Sequence, residues 1–183
     1  MSMYSNKLAV AIKASGKVLR ERGDSVFLPF GTEFSIQIKN LNTVRCLVSV
    51  YIDGTNATEG IQLIVQPNDD VELERYIRNA NMHSGNRFKF IERSAAIESG
   101  PRGIKVDDGL VRIEYEFEKI NQLAYIHNNN YFVGQNVNQL ARGCSPYTLN
   151  TNILPQSYAS YASSDAGITV PGSVSNQAFS VGQ

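Results

Sequence analysis

GLVRIEYEFEK occupies residues 109–119. Val111, Ile113, Tyr115 and Phe117 fall on one side of this stretch, and Arg112, Glu114, Glu116 and Glu118 on the other. Alternation of period two marks a strand with one face on a core and one in water, which is the habit of antiparallel sheets. EFSIQIKN (33–40) repeats the pattern, with Phe34, Ile36 and Ile38 inward and Glu33, Ser35, Gln37 and Lys39 outward. RFKFIE (87–92) pairs Phe88 with Phe90, and VELERYI (71–77) pairs Val71 with Leu73.

VRCLVSVYI (44–52) is less regular. Val44, Cys46, Val48, Val50 and Ile52 form one face, but Leu47 and Tyr51 put apolar groups on the other. A central strand, or one lying beneath a neighbouring chain, fits that pattern. KLAVAIKA (7–14) and GKVLRE (16–21) read as two further strands or as a pairing arm, and IQLIVQ (61–66) adds another. Turn chemistry separates these runs at 14–17, Arg22-Gly23-Asp24, Asp53-Gly54, 67–70, Ser84-Gly85-Asn86 and Asp107-Asp108-Gly109. About seven to nine short strands with such punctuation predict an all-β, antiparallel β-sandwich, Ig-like or jelly-roll-like. LERYIRNAN (73–81) is the one stretch that also reads as a helical turn.

The charge distribution divides the chain. Residues 1–120 hold 16 of the 17 Lys and Arg and 16 of the 17 Asp and Glu, leaving Arg142 and Asp165 for residues 121–183. The expected organisation is an N-terminal strand or arm (1–20), a sandwich body (21–120) and an extended, low-charge C-terminal arm (121–183). Asn, Gln, Ser and Tyr dominate that last stretch. Such side chains bury at lower cost than charges, because a partner's backbone satisfies amides and hydroxyls. Tyrosine adds apolar area with a polar tip. Pro146, Pro155 and Pro171 argue for an extended path and against a central strand. The expected contact residues are Tyr125, Tyr131, Phe132, Tyr147, Tyr158, Tyr161 and Phe179, with the strip from Lys7 to Lys13 as a further candidate. Packing of 121–183 back on its own body is the competing arrangement.

A formal net charge of zero gives no basic footprint for nucleic acid. No apolar run reaches the roughly 18 residues of a membrane helix, and the N-terminal apolar run is short for a secretory signal. Cys46 and Cys144 make no metal-binding pair, and Cys46 reads as a small buried hydrophobe. His83 and His127 each stand without a partner at ligand spacing. Glu114, Glu116 and Glu118 read as a solvated face paired with Arg87 and Lys89 across a neighbouring strand. Arg22-Gly23-Asp24 and Asn56-Ala57-Thr58 read as turns rather than as adhesion or glycosylation signals, and GPRGIK (100–105) as a loop. No enzyme, cofactor or metal motif is expected.

YIDGTNATEG (51–60), LIVQPNDDVELERYI (63–77), GNRFKFIER (85–93) and RGIKVDDGLVRIEYEFEK (102–119) together resemble phrases of virion structural proteins of tailed bacteriophages. GITVPGSVSNQAF (167–179) resembles their closing phrases. The resemblance covers residues 44–119 and the last stretch of the chain, and it supplies no catalytic residue. It implies a β-sandwich head that binds other virion subunits. The expected function is therefore a non-enzymatic capsid decoration or cement subunit. Its partners would be the major capsid protein and neighbouring copies of itself, with neither membrane nor direct nucleic-acid contact. It would be made in the host cytoplasm and placed in the virion as a homo-oligomer. A neck, tail or head-fibre component is the alternative within the virion. A carbohydrate-binding sandwich is the alternative of another class, and the lack of Trp argues against it.

Overall fold

The computed structural model describes residues 3–119, 147–155 and 167–181. In chain order the strands are β1 (Tyr4–Ser5), β2 (Leu8–Ala14), β3 (Lys17–Val18), β4 (Glu21–Arg22), β5 (Ser25–Leu28), β6 (Thr32–Asn40), β7 (Cys46–Ile52) and β8 (Thr55–Asn56). They continue with β9 (Leu63–Val65), β10 (Asp70–Leu73), β11 (Gly85–Glu92), β12 (Leu110–Phe117), β13 (Tyr147–Pro155) and β14 (Gly167–Ser175). The one helix among the described residues is a single turn, α1 (Ala95–Glu98).

Two seven-stranded sheets pack face to face. The first runs β1-β2-β6-β11-β14, with β3 also on β2 and β10 also on β6. The second runs β4-β5-β13-β12-β7-β8, with β9 also on β7. Every pairing is antiparallel except that of β13 with β5. The all-β sandwich expected from the alternation is the fold.

The alternating residues meet where their period places them. Ile36, Ile38, Phe88 and Phe90 of the first sheet and Val48, Val50, Val111 and Ile113 of the second are fully buried. Leu8, Val10 and Ile12 of β2 join them, so the N-terminal strip is part of the body. Cys46 is buried and free, and burial pushes its thiol up to about 12. Cys144 lies outside the described residues. Asp53-Gly54 is a two-residue hairpin loop, with both residues at positive φ (51° and 73°), between paired Ile52 and Thr55. That handedness suits the twist of the flanking strands. Asn56 folds its side chain back to accept from the Thr58 and Gly60 N–H groups, so the sequon is a turn.

Three expectations are corrected. First, the stretch 121–183 is not one arm. Of its described residues, 147–155 form β13, an interior strand between β5 and β12, and 167–175 form β14, the last strand of the first sheet. Leu149, Thr151 and Ile153 point inward while Thr148, Asn150 and Leu154 face out. The prolines do not prevent this, because Pro155 ends β13 and Pro171 sits on a terminal strand, both positions where a missing N–H is tolerated. Second, 73–81 is not helical: Leu73 ends β10, Arg75 bridges to Arg87, and Asn79 and Ala80 have positive φ. Third, Arg87 and Lys89 lie on the sheet opposite the glutamates of β12. Arg87 instead pairs with Glu74 at 2.9 Å, while Glu118 pairs with Arg45.

Arg75 is fully buried and organises the open side between the sheets. Its Nε donates to the Gln177 carbonyl (2.8 Å), and its Nη1 donates to the carbonyls of Tyr76 (3.0 Å), Asn81 (3.2 Å) and Ser84 (3.0 Å). The Phe179 ring lies 5.1 Å from its guanidinium carbon. Gln177 in turn accepts from the Glu74 N–H and donates to the Glu72 carbonyl. A cation so placed is hydrogen-bonded by carbonyl dipoles, with the neighbouring Glu74 carboxylate adding a favourable charge.

Candidate functional site

β12 leaves and β13 returns at the same end of the second sheet, where Tyr115 is paired with Tyr147 and Phe117 with Cys46. Alternation carries Tyr115 inward, and its hydroxyl donates to the Ser5 carbonyl at 2.8 Å. Its ring stacks on Tyr147 (5.3 Å) and meets Phe117 edge-on (5.7 Å). Tyr147, one step nearer the strand end, is 43% exposed, and Tyr4 on β1 is 52% exposed. Aromatic pairs of this kind are stiff, and they offer area at little cost in side-chain freedom.

At this end of the sheet lies a groove of about 430 Å³. Leu47, Ile64 and Phe117 are its apolar surface. Leu47 stands directly between Glu116 on β12 and Ile64 on β9, so the groove follows from strand register. Arg45 and Glu118 form one wall, joined by two hydrogen bonds of 3.0 and 2.6 Å. Hydrogen bonding from Arg45 holds the Glu118 carboxyl below its usual range. An exposed pair of this kind adds little stability. Its bidentate geometry fixes the wall against the apolar floor. Glu116 and Lys119 complete the rim, so the groove is an apolar floor with charged walls.

The expected contact residues divide. Tyr147 lies at this end of the sheet, stacked on Tyr115, but does not line the groove. Phe179 turns toward the body, half-buried against Arg75, with its N–H on the Met82 carbonyl at 2.8 Å. Tyr125, Tyr131, Phe132, Tyr158 and Tyr161 lie outside the described residues. Sequence reasoning did not select Arg45, Ile64 or Glu118. Leu47 did carry a signal, since it breaks the polarity of the outer face of β7. Tyr51 breaks it too, but Arg112 covers its ring at 4.5 Å.

A second polar cluster ties the sheets together. Asp53 accepts from the N–H groups of Gly109 (2.8 Å) and Thr169 (2.7 Å), and Arg102 lies 3.6 Å away. Arg102 and Arg93 both pair with Asp108, at 2.6 and 3.2 Å. GPRGIK therefore supplies a structural cation rather than a free loop charge. Burial pushes Asp53 up to about 6, against the pull of its hydrogen bonds and Arg102. Each carboxylate here is occupied by backbone or guanidinium donors. Among the described residues no group of three His, Cys, Asp or Glu is placed to hold a metal ion, and no helix is long and apolar enough to cross a membrane.

No protein-family model, no curated protein and no solved structure matches the chain.

Proposed function

We propose that the chain is a non-enzymatic structural subunit of a tailed-phage virion that binds and reinforces the capsid as a decoration or cement protein. One observation carries the reading most. The interior strand β13 is bracketed by two inserts, 120–146 and 156–166, with one charged residue each, Arg142 and Asp165. β13 runs antiparallel to β12, so the inserts attach at opposite ends of one rigid strand. A sandwich carrying nearly all the charge, with low-charge segments at both ends, suits a subunit that contacts neighbours on two sides. The exposed Tyr147 and the Leu47–Phe117 groove supply an apolar anchor where the longer insert begins. The phrases resembling phage virion proteins fall on this same body.

The partners in this reading are the major capsid protein and neighbouring copies of the chain, in the virion. Such contacts raise the cost of separating capsid subunits under internal pressure. Quantifying the chain in purified virions tests the proposal. Decoration of a symmetric shell requires on the order of hundreds of copies per particle. A ring of only a few copies moves the protein to the neck or tail, and absence from washed particles overturns the structural reading. Leu47→Lys should leave the fold intact and weaken retention on particles about tenfold or more, as expected for a charge introduced into an apolar contact.

A further inference from the structure

The terminal strand of a sheet exposes unpaired N–H and C=O groups that invite another strand. β14 is the last strand of the first sheet and pairs only with β11 among the described residues. Its Val174 is 69% exposed, and among the described residues the segment 96–102 flanks Ile168–Pro171 across a cavity of about 420 Å³. Yet three consecutive alternate residues offer no N–H to an incoming strand. The Thr169 N–H donates to Asp53 Oδ2 at 2.7 Å. Pro171 has no N–H. Beyond it the register with β11 shifts, because Pro171 faces Phe88 and Val174 faces Asn86, so one extra residue sits in β14. Such a bulge leaves an N–H outside the ladder. Here Ser173 gives both its N–H and its hydroxyl to Glu33, at 2.6 and 2.8 Å.

The Glu33 contact has a sequence requirement of its own. A Cβ on Gly172 would stand 2.6 Å from Glu33 Oε1 and 3.1 Å from the Cβ of Lys89. The absence of a side chain at 172 is what lets the carboxylate reach Ser173. The Ser173 hydroxyl and N–H hold Glu33 below its usual range, so it is ionised at neutral pH.

We propose that Asp53, Pro171 and the Glu33–Ser173 pair close the free edge of β14, so that copies of this chain do not join through that edge. The occupant excluded is β14 of a second copy, which could pair antiparallel across a two-fold axis. Assembly is thereby directed to other surfaces. The inference does not depend on which particle the protein enters.

The test has a wild-type arm and a variant arm. In the wild-type protein, amide hydrogen exchange at Thr169 and Ser173 should run at least tenfold slower than in an unstructured peptide. Glu33→Ala should speed exchange at Ser173 at least tenfold while leaving Thr169 slow. Glu33→Ala combined with Pro171→Val should self-associate in sedimentation velocity at least tenfold more tightly than wild type. The amides at positions 171 and 173 should become protected as it does so. Fast exchange at Ser173 in the wild-type protein overturns the proposal without any variant. So does a folded double variant that sediments as the wild type does.

Discussion

The Asp53 carboxylate holds the β7–β8 turn to the start of β12 and to β14 on the opposite sheet. From sequence, Asp53-Gly54 was legible as a turn, because the loop residues announce the positive φ they adopt. Its second role was not, since the partners lie 56 and 116 residues away. That placement makes stability depend on pH in a defined direction. The folded-state pKa, about 6, lies above the ordinary aspartate value of 3.8, so the folded protein binds this proton more tightly. Stability from the protonated group is complete below about pH 4 and is lost as pH rises through 6. The difference amounts to about 3 kcal/mol. Asp53→Asn cannot titrate there. Urea denaturation of both proteins should therefore show wild type losing about 3 kcal/mol relative to the variant between about pH 3 and pH 7, most of it between pH 4 and 6, with no further change above about 7. A constant difference would remove burial as the dominant influence on Asp53.

β13 and β14 mark where strand reading succeeded and failed. β12, β6 and β11 were legible because charged residues alternate with large apolar ones. β13 alternates as well, through Tyr147, Leu149, Thr151 and Ile153, but Asn and Thr stand where charge would announce the outer face. Asn is a poor strand former, and Thr151 is a polar residue facing inward. Its position depends on β5, more than a hundred residues earlier in the chain, which no local pattern reveals. For β14 the deciding contact is Gly167, whose missing side chain leaves room for the Phe90 ring. Gly167→Ala should cost about 1–3 kcal/mol by overpacking. In a protein of this size that is a fall in Tm of roughly 3–10 °C. Phe90→Leu should recover part of the loss in a double-mutant cycle, whereas strict additivity would show that the two positions do not compete for space.

For the whole molecule, the partition of charge was legible and its meaning changed on folding. The low-charge third looked like a single arm; β13 and the C-terminal residues through Phe179 belong to the body. The groove at Leu47 was only half legible, because Arg45, Ile64 and Glu118 come from three separate segments. In the proposed reading the segments that meet partners are 120–146 and 156–166, joined to opposite ends of an interior strand. Deleting everything after residue 120 would remove that strand and test folding rather than assembly. A cleaner variant replaces 120–146 with a short Gly/Ser turn and 156–166 with Gly/Ser of equal length. The decisive measurement is the number of copies retained per washed particle for this variant and for the full chain, with matched melting curves as the control. The expected result is an equally folded body retained about tenfold less or worse, because the multivalent contacts are gone. Equal retention of the two proteins would contradict the proposal that the low-charge inserts tie neighbouring subunits together.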